Sequence, residues 1–128
     1  MPRQLPPLSD AQMEIMQLVW DTSETTVSEI WQALAERRPV ARNTVLTVMD
    51  RLERRGWLKK RSVGKTNLYR AAVSRQSTLG SVVQRLVDTT FAGSADSLVL
   101  ALLEGRGVSD EEADRIRRML DEARNKRG

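Results

Sequence analysis

A change of period two-fifths of the way along the chain restricts its fold more than any other feature. Three early segments place apolar residues three and four apart, the spacing of helices that bury one stripe. From Trp57 the pattern alternates instead. Trp57-Leu58-Lys59-Lys60-Arg61-Ser62-Val63 reads as a strand, Gly64-Lys65 as a turn, and Thr66-Asn67-Leu68-Tyr69-Arg70-Ala71 as a second strand. Two β-type runs around a short glycine turn predict a hairpin.

The helices before it carry their own start and stop signals. Ser9-Asp10-Ala11-Gln12 is a capping box, with the serine on the free amides and the glutamine reaching back. It opens a helix to about Trp20-Asp21, with Leu8, Ala11, Ile15, Leu18 and Val19 as its inner stripe. Thr26-Val27-Ser28-Glu29 is a second box. Its helix buries Val27, Ile30, Trp31 and Leu34 and runs to about Arg37, before Pro39 breaks it. A third helix is expected over Arg42–Arg55, stopped by Gly56. Val45, Val48, Met49 and Leu52 form its apolar stripe. Asn43, Thr47, Asp50 and Arg54 lie on the opposite face, flanked by Thr44, Leu46 and Arg51. The first seven residues include three prolines and predict a poorly ordered tail. Three helices followed by a hairpin is the order of a winged helix-turn-helix domain, here spanning residues 8–73.

Residues 74–128 read as all-helical. Leu79, Val82, Val83, Leu86, Val87 and Phe91 step along a helix from about Arg75, which Gly93 interrupts. Ser94 opens a short helix with Leu98, Val99, Leu102 and Leu103, ended by Gly105 and Gly107. Ser109-Asp110-Glu111-Glu112 opens a last one with Ala113, Ile116, Met119 and Leu120. Three short helices with narrow stripes pack better against a second copy than alone. Residues 74–128 are therefore expected to form a helical dimerisation domain. Leu79, Val82, Val83, Leu86, Phe91, Leu98, Leu102, Ile116 and Leu120 are its expected interface. The fold class is mostly α with a small β-hairpin wing and a C-terminal three-helix region.

Composition removes whole classes of chemistry. The 128 residues contain no cysteine and no histidine. No disulfide, no thiolate or imidazole metal site, and no His- or Cys-based catalytic triad can be built. A Ser–Lys arrangement or a carboxylate pair has no motif to support it, so no enzyme activity, metal or cofactor is expected. No apolar run approaches the ~18 residues of a membrane helix, and MPRQLPPLSD lacks an apolar signal core. A cytoplasmic protein with no membrane insertion is expected. Net charge is only +4, but its placement is uneven. Between Arg37 and Arg70 stand eleven basic and two acidic residues, a local +9, whereas residues 74–128 hold nine of each. A concentrated basic segment beside a neutral one points to a polyanion-binding face joined to another body.

In a helix-turn-helix the second helix of the motif enters the major groove, and its first residues meet base edges. Here Asn43 can pair with adenine and Arg42 with guanine. Thr44 and Thr47 offer a hydroxyl and a methyl, and Leu46 an apolar contact to thymine. Arg51, Arg54 and Arg55 lie deeper, where phosphates are the expected targets. Lys60, Arg61 and Lys65 sit on the wing, suited to backbone or minor-groove contacts. Asp50 is expected to pair with Arg51 or Arg54, or to accept a bond from cytosine. Trp20, Trp31 and Trp57 are expected in the core or at a domain junction. Tyr69 alone on the wing is too little for a single-strand stacking platform. Asn43 and Thr44 could instead only start their helix. Two other classes stay open: a winged-helix protein–protein module, and a nucleic-acid enzyme that uses the domain as its grip.

Four stretches resemble the penicillinase-repressor family, which includes the methicillin-resistance repressors and related copper-responsive repressors. They are LSDAQMEIMQLVWD, TVSEIWQAL, VARNTVLTVMDRLERRGWLKKR and SADSLVLALLEG. The resemblance covers nearly the whole chain. It implies a homodimeric repressor that binds an inverted-repeat operator in double-stranded DNA and controls resistance or stress genes. Base contacts would fall on Asn43, Thr44, Leu46 and Thr47, with Leu46 standing where some members carry arginine. The copper-responsive branch has paired cysteines near its C-terminus, and this chain has none. In the resistance repressors a membrane sensor-protease pathway cuts an Asn-Phe bond in the short helix. The matching bond here is Ala101-Leu102, so the scissile pair differs.

Overall fold

A computed structural model describes residues 5–127. Helix α1 (Asp10–Trp20) is followed by α2 (Val27–Ala35) and α3 (Arg42–Arg54). The hairpin of β1 (Leu58–Val63) and β2 (Thr66–Ala71) comes next, then α4 (Arg75–Thr90), α5 (Ala95–Gly105) and α6 (Asp110–Arg127). Both early capping boxes form. The Gln12 amide donates to Ser9 Oγ at 3.2 Å while Ser9 N–H donates to Gln12 Oε1 at 2.9 Å. Thr26 and Glu29 repeat the exchange. Helix α3 has no such help: its N-cap is Ala41, which makes no side-chain bond.

One core joins the three helices to the hairpin. It contains Ile15, Met16 and Val19 of α1, Val27, Ile30 and Leu34 of α2, Val45, Met49 and Leu52 of α3, and Trp57, Leu58 and Tyr69. Burying each such side chain stabilises the fold by roughly 1.5–3 kcal/mol before chain entropy is counted. The inner stripe of α1 differs from the expected one. Ala11 is exposed, whereas Gln12 and Met16 are buried and Leu18 only partly so. The cap bond folds Gln12 back against the helix, and the unbranched Met16 joins the core.

The strands pair antiparallel, with Leu58 opposite Ala71, Lys60 opposite Tyr69 and Val63 opposite Thr66. Gly64 takes φ +62° in the turn, a conformation that side chains other than glycine's rarely adopt. A third segment joins unforeseen: Thr25 exchanges backbone bonds with Tyr69 at 2.9 and 2.8 Å. The tail expectation needs correcting where it can be checked. Leu5 packs against the core, and Trp57 Nε1 donates to the Pro6 carbonyl at 3.2 Å. Residues 1–4 lie outside the described ones.

The chain divides into two compact units, Met1–Val82 and Val83–Gly128. The start of α4 thus belongs to the first. Arg75 donates to Asp21 at 2.6 Å and to the Gln17 carbonyl at 3.2 Å, with its guanidinium 5.8 Å from the centroid of the Trp20 ring. Thr78 is buried beside them in sequence.

In the second unit, Ser94 caps α5 and Ser109 with Glu112 forms the box that opens α6. None of its described residues is buried. Val83, Leu86, Leu102, Ile116 and Leu120 are exposed, and Phe91 and Leu98 half-buried. Among the described residues no single helix is long and apolar enough to cross a membrane.

Candidate nucleic-acid interface

Helix α3 is held by one side and open on another. Val45, Met49 and Leu52 are buried beneath it, and Leu46 and Val48 pack partly against the same core. Arg42, Asn43, Thr44 and Thr47 are exposed over its first two turns. These five side chains, Leu46 included, therefore lie at the N-terminal half of one helix, as expected for a group that meets base edges together. Two have internal bonds that narrow their geometry. Arg42 Nε donates to Ser28 Oγ at 3.1 Å, tying the start of α3 to α2. Thr47 Oγ1 donates to the Asn43 carbonyl at 2.9 Å, which leaves its methyl and a lone pair facing outward.

The basic residues are spread along α3 and the hairpin. Arg51, Arg54 and Arg55 at the end of the helix and Lys60 and Lys65 on the hairpin are exposed. Side chains alternate along a strand, so Lys59, Arg61 and Arg70 share the face opposite Tyr69. There an open cleft of about 520 Å³ is lined by these three, with Glu24 and Glu53 on its walls. Arg61 is not simply a solvent-facing cation. It makes two 2.7 Å bonds to the Glu24 carboxylate. That hydrogen bonding holds Glu24 below the usual carboxylate range, against desolvation, which opposes it, and with the charges of Arg61 and Arg70 adding to it. To reach a phosphate, Arg61 would exchange one anion for another.

Asp50 departs from expectation. It pairs with neither Arg51 nor Arg54 through its carboxylate. It accepts the Tyr69 hydroxyl at 2.8 Å instead, and Arg54 reaches only the Asp50 backbone carbonyl, at 3.5 Å. Tyr69 itself is 0% exposed, so it is core and not a stacking platform. Burial first, then the Asp50 bond, push its phenol well above its ordinary pKa. Neither Tyr69 nor Thr25 stood out as part of the site from spacing, since a single bridging residue has no period to read. Ala101 and Leu102, the pair at the matching scissile position, are both exposed on α5.

The penicillinase repressor family model matches residues 8–122. The chain is 24% identical to the penicillinase repressor of Bacillus licheniformis over 98% of both chains. It is 29% identical to the transcriptional regulator BlaI of Mycobacterium tuberculosis over 90% of this chain and 83% of that one. Among solved structures, the Bacillus licheniformis BlaI monomer in complex with the blaP half-operator superposes with a TM-score of 0.50 at 25% identity. That match covers 57% of this chain and 89% of the other. The isolated DNA-binding domain of the repressor BlaI gives 0.52 at 24%, over 58% and 90%.

Proposed function

The chain belongs to the penicillinase-repressor family, and from that premise we propose how it works as a DNA-binding transcriptional repressor. Helix α3 enters the major groove, where Arg42, Asn43, Thr44, Leu46 and Thr47 read bases. Arg51, Arg54, Arg55, Lys60, Arg61 and Lys65 neutralise phosphates. The observation that carries this reading is the division of α3 itself. Its one side is core, and its first two turns offer exposed polar side chains within a segment of local charge +9. A solved relative with the same fold is bound to a half-operator.

The exposed apolar residues of the second unit support a homodimer on an inverted repeat. Two half-site contacts on one dimer gain from effective concentration, so losing the dimer releases the operator. Control of resistance or stress genes, and work in the cytoplasm with the DNA, follow the family. Cleavage of α5 at Ala101-Leu102 by a sensor-protease pathway would destroy the apolar set that Leu98, Leu102 and their neighbours supply.

The test is selection of duplexes from a randomised pool, followed by binding of the enriched and a scrambled duplex. Asn43→Ala should cost about 1–3 kcal/mol on the enriched duplex and little on the scrambled one. Lys65→Ala should weaken both alike and lower the slope of log K against log[salt] by about 0.9. Enrichment of no sequence would reject base reading, and a protein–protein module would then be the better account.

A further inference from the structure

Asp50 stands on the same face of α3 as Asn43 and Thr47, seven and three residues along, yet it is not presented to solvent as they are. It is half-buried, and the hairpin reaches it. Tyr69, wholly buried at the centre of β2, donates its hydroxyl to Asp50 Oδ1 at 2.8 Å. The same residue is clamped through its backbone to Thr25 on one side and paired with Lys60 on the other. A rigid point in the sheet is thus bonded directly to the reading face of the helix.

We infer that the Tyr69–Asp50 hydrogen bond is a positioning device that fixes the rotation of α3, so that Asn43, Thr44 and Thr47 point at base edges. The inference rests on the reading proposed above and assigns roles to two residues that touch no base.

The geometry explains why one bond matters. The core stripe of α3 is Val45, Met49 and Leu52, and apolar contacts of this kind are non-directional. They resist removal of the helix more than a small roll about its axis. At a side-chain radius of ~5–6 Å, a roll of ~10° moves a side-chain tip by about 1 Å. A paired contact to a base tolerates little of that, because hydrogen bonds weaken steeply off their angles. Contacts to phosphate made by long, flexible lysines and arginines tolerate it well. The bond therefore acts on discrimination between sequences and leaves general affinity for DNA alone.

Full-length protein is used for the test, with the enriched and scrambled duplexes as probes. Tyr69→Phe removes only the donor, whereas Asp50→Ala removes the acceptor together with its charge. Each should lower the ratio of enriched to scrambled affinity by about tenfold, the size of one paired base contact, without loss on the scrambled duplex. Asp50→Asn keeps an acceptor oxygen and removes a negative charge. It should hold the ratio within about twofold while raising affinity for both duplexes together. Tyr69→Phe with the parental ratio, or with equal losses on both duplexes, would overturn the inference while leaving base reading intact. So would Asp50→Asn losing the ratio as Asp50→Ala does, since the carboxylate itself would then be the reader. If Tyr69→Phe does not fold, the two Asp50 variants decide. A parent protein that enriches no sequence overturns both readings at once.

Discussion

Tyr69 is the only tyrosine in the chain, so an absorbance titration reports its phenol alone. Its pKa is raised by burial first and by the Asp50 bond second. Linkage then sets a sign. The stabilisation is fully present below the unfolded phenol's value of about 10 and is lost as pH rises through the higher folded value. The tyrosinate signal should stay absent above pH ~10 until the fold opens, and then appear together with loss of helix. Tyrosinate absorbance that rises near the ordinary value in folded protein would contradict the buried hydroxyl. Glu24 carries the opposite sign: its depressed pKa gives a contribution present at neutral pH and lost in acid. At this scale the sequence showed which residues are polar and on which helical face, but not their partners. Asp50 and Tyr69 are 19 residues apart, and Arg61 and Glu24 are 37. Periodicity names a face, and only the packing of whole elements decides what arrives against it.

Helices α1 and α2 begin with reciprocal capping boxes, while α3 begins at Ala41 without a side-chain cap. Ser9→Ala and Thr26→Ala should each cost about 1 kcal/mol in urea unfolding. Ala41→Ser should gain about 0.5–1 kcal/mol, because its hydroxyl can accept from a first-turn amide that no side chain of the described residues caps. No change in the midpoint for Ala41→Ser would mean that the entry to α3 cannot hold a cap geometry. These boxes were legible because donor and acceptor stand three residues apart, and the Gly64-Lys65 turn was legible because it is a local necessity. The strand-like pairing of Thr25 was not, since one residue has no period. The inner stripe of α1 shifted for a related reason: a capping glutamine counts as polar by type, yet its bonds to Ser9 let it be buried.

For the molecule as a whole, the first unit holds the buried core and the second holds none of it. A chain ended at Val82 keeps the anchors of Arg75 and Thr78 and should be folded, monomeric and weak on the enriched duplex. A specific protease site inserted at Ala101-Leu102 should give the same result once cut. Light scattering that still finds a stable dimer would move the interface into the first unit for the chain ended at Val82, and away from an intact α5 for the cut protein. The tryptophans add a practical consequence. Each indole donates to a backbone carbonyl: Trp20 to Val73, Trp31 to Val40 and Trp57 to Pro6. All three rings belong to Met1–Val82, and the second unit's lone aromatic is Phe91. Indole emission is therefore blind to the second unit, whereas far-ultraviolet circular dichroism sees the helices of both. Two optical signals that part company during melting would time the opening of the second unit without any label being attached.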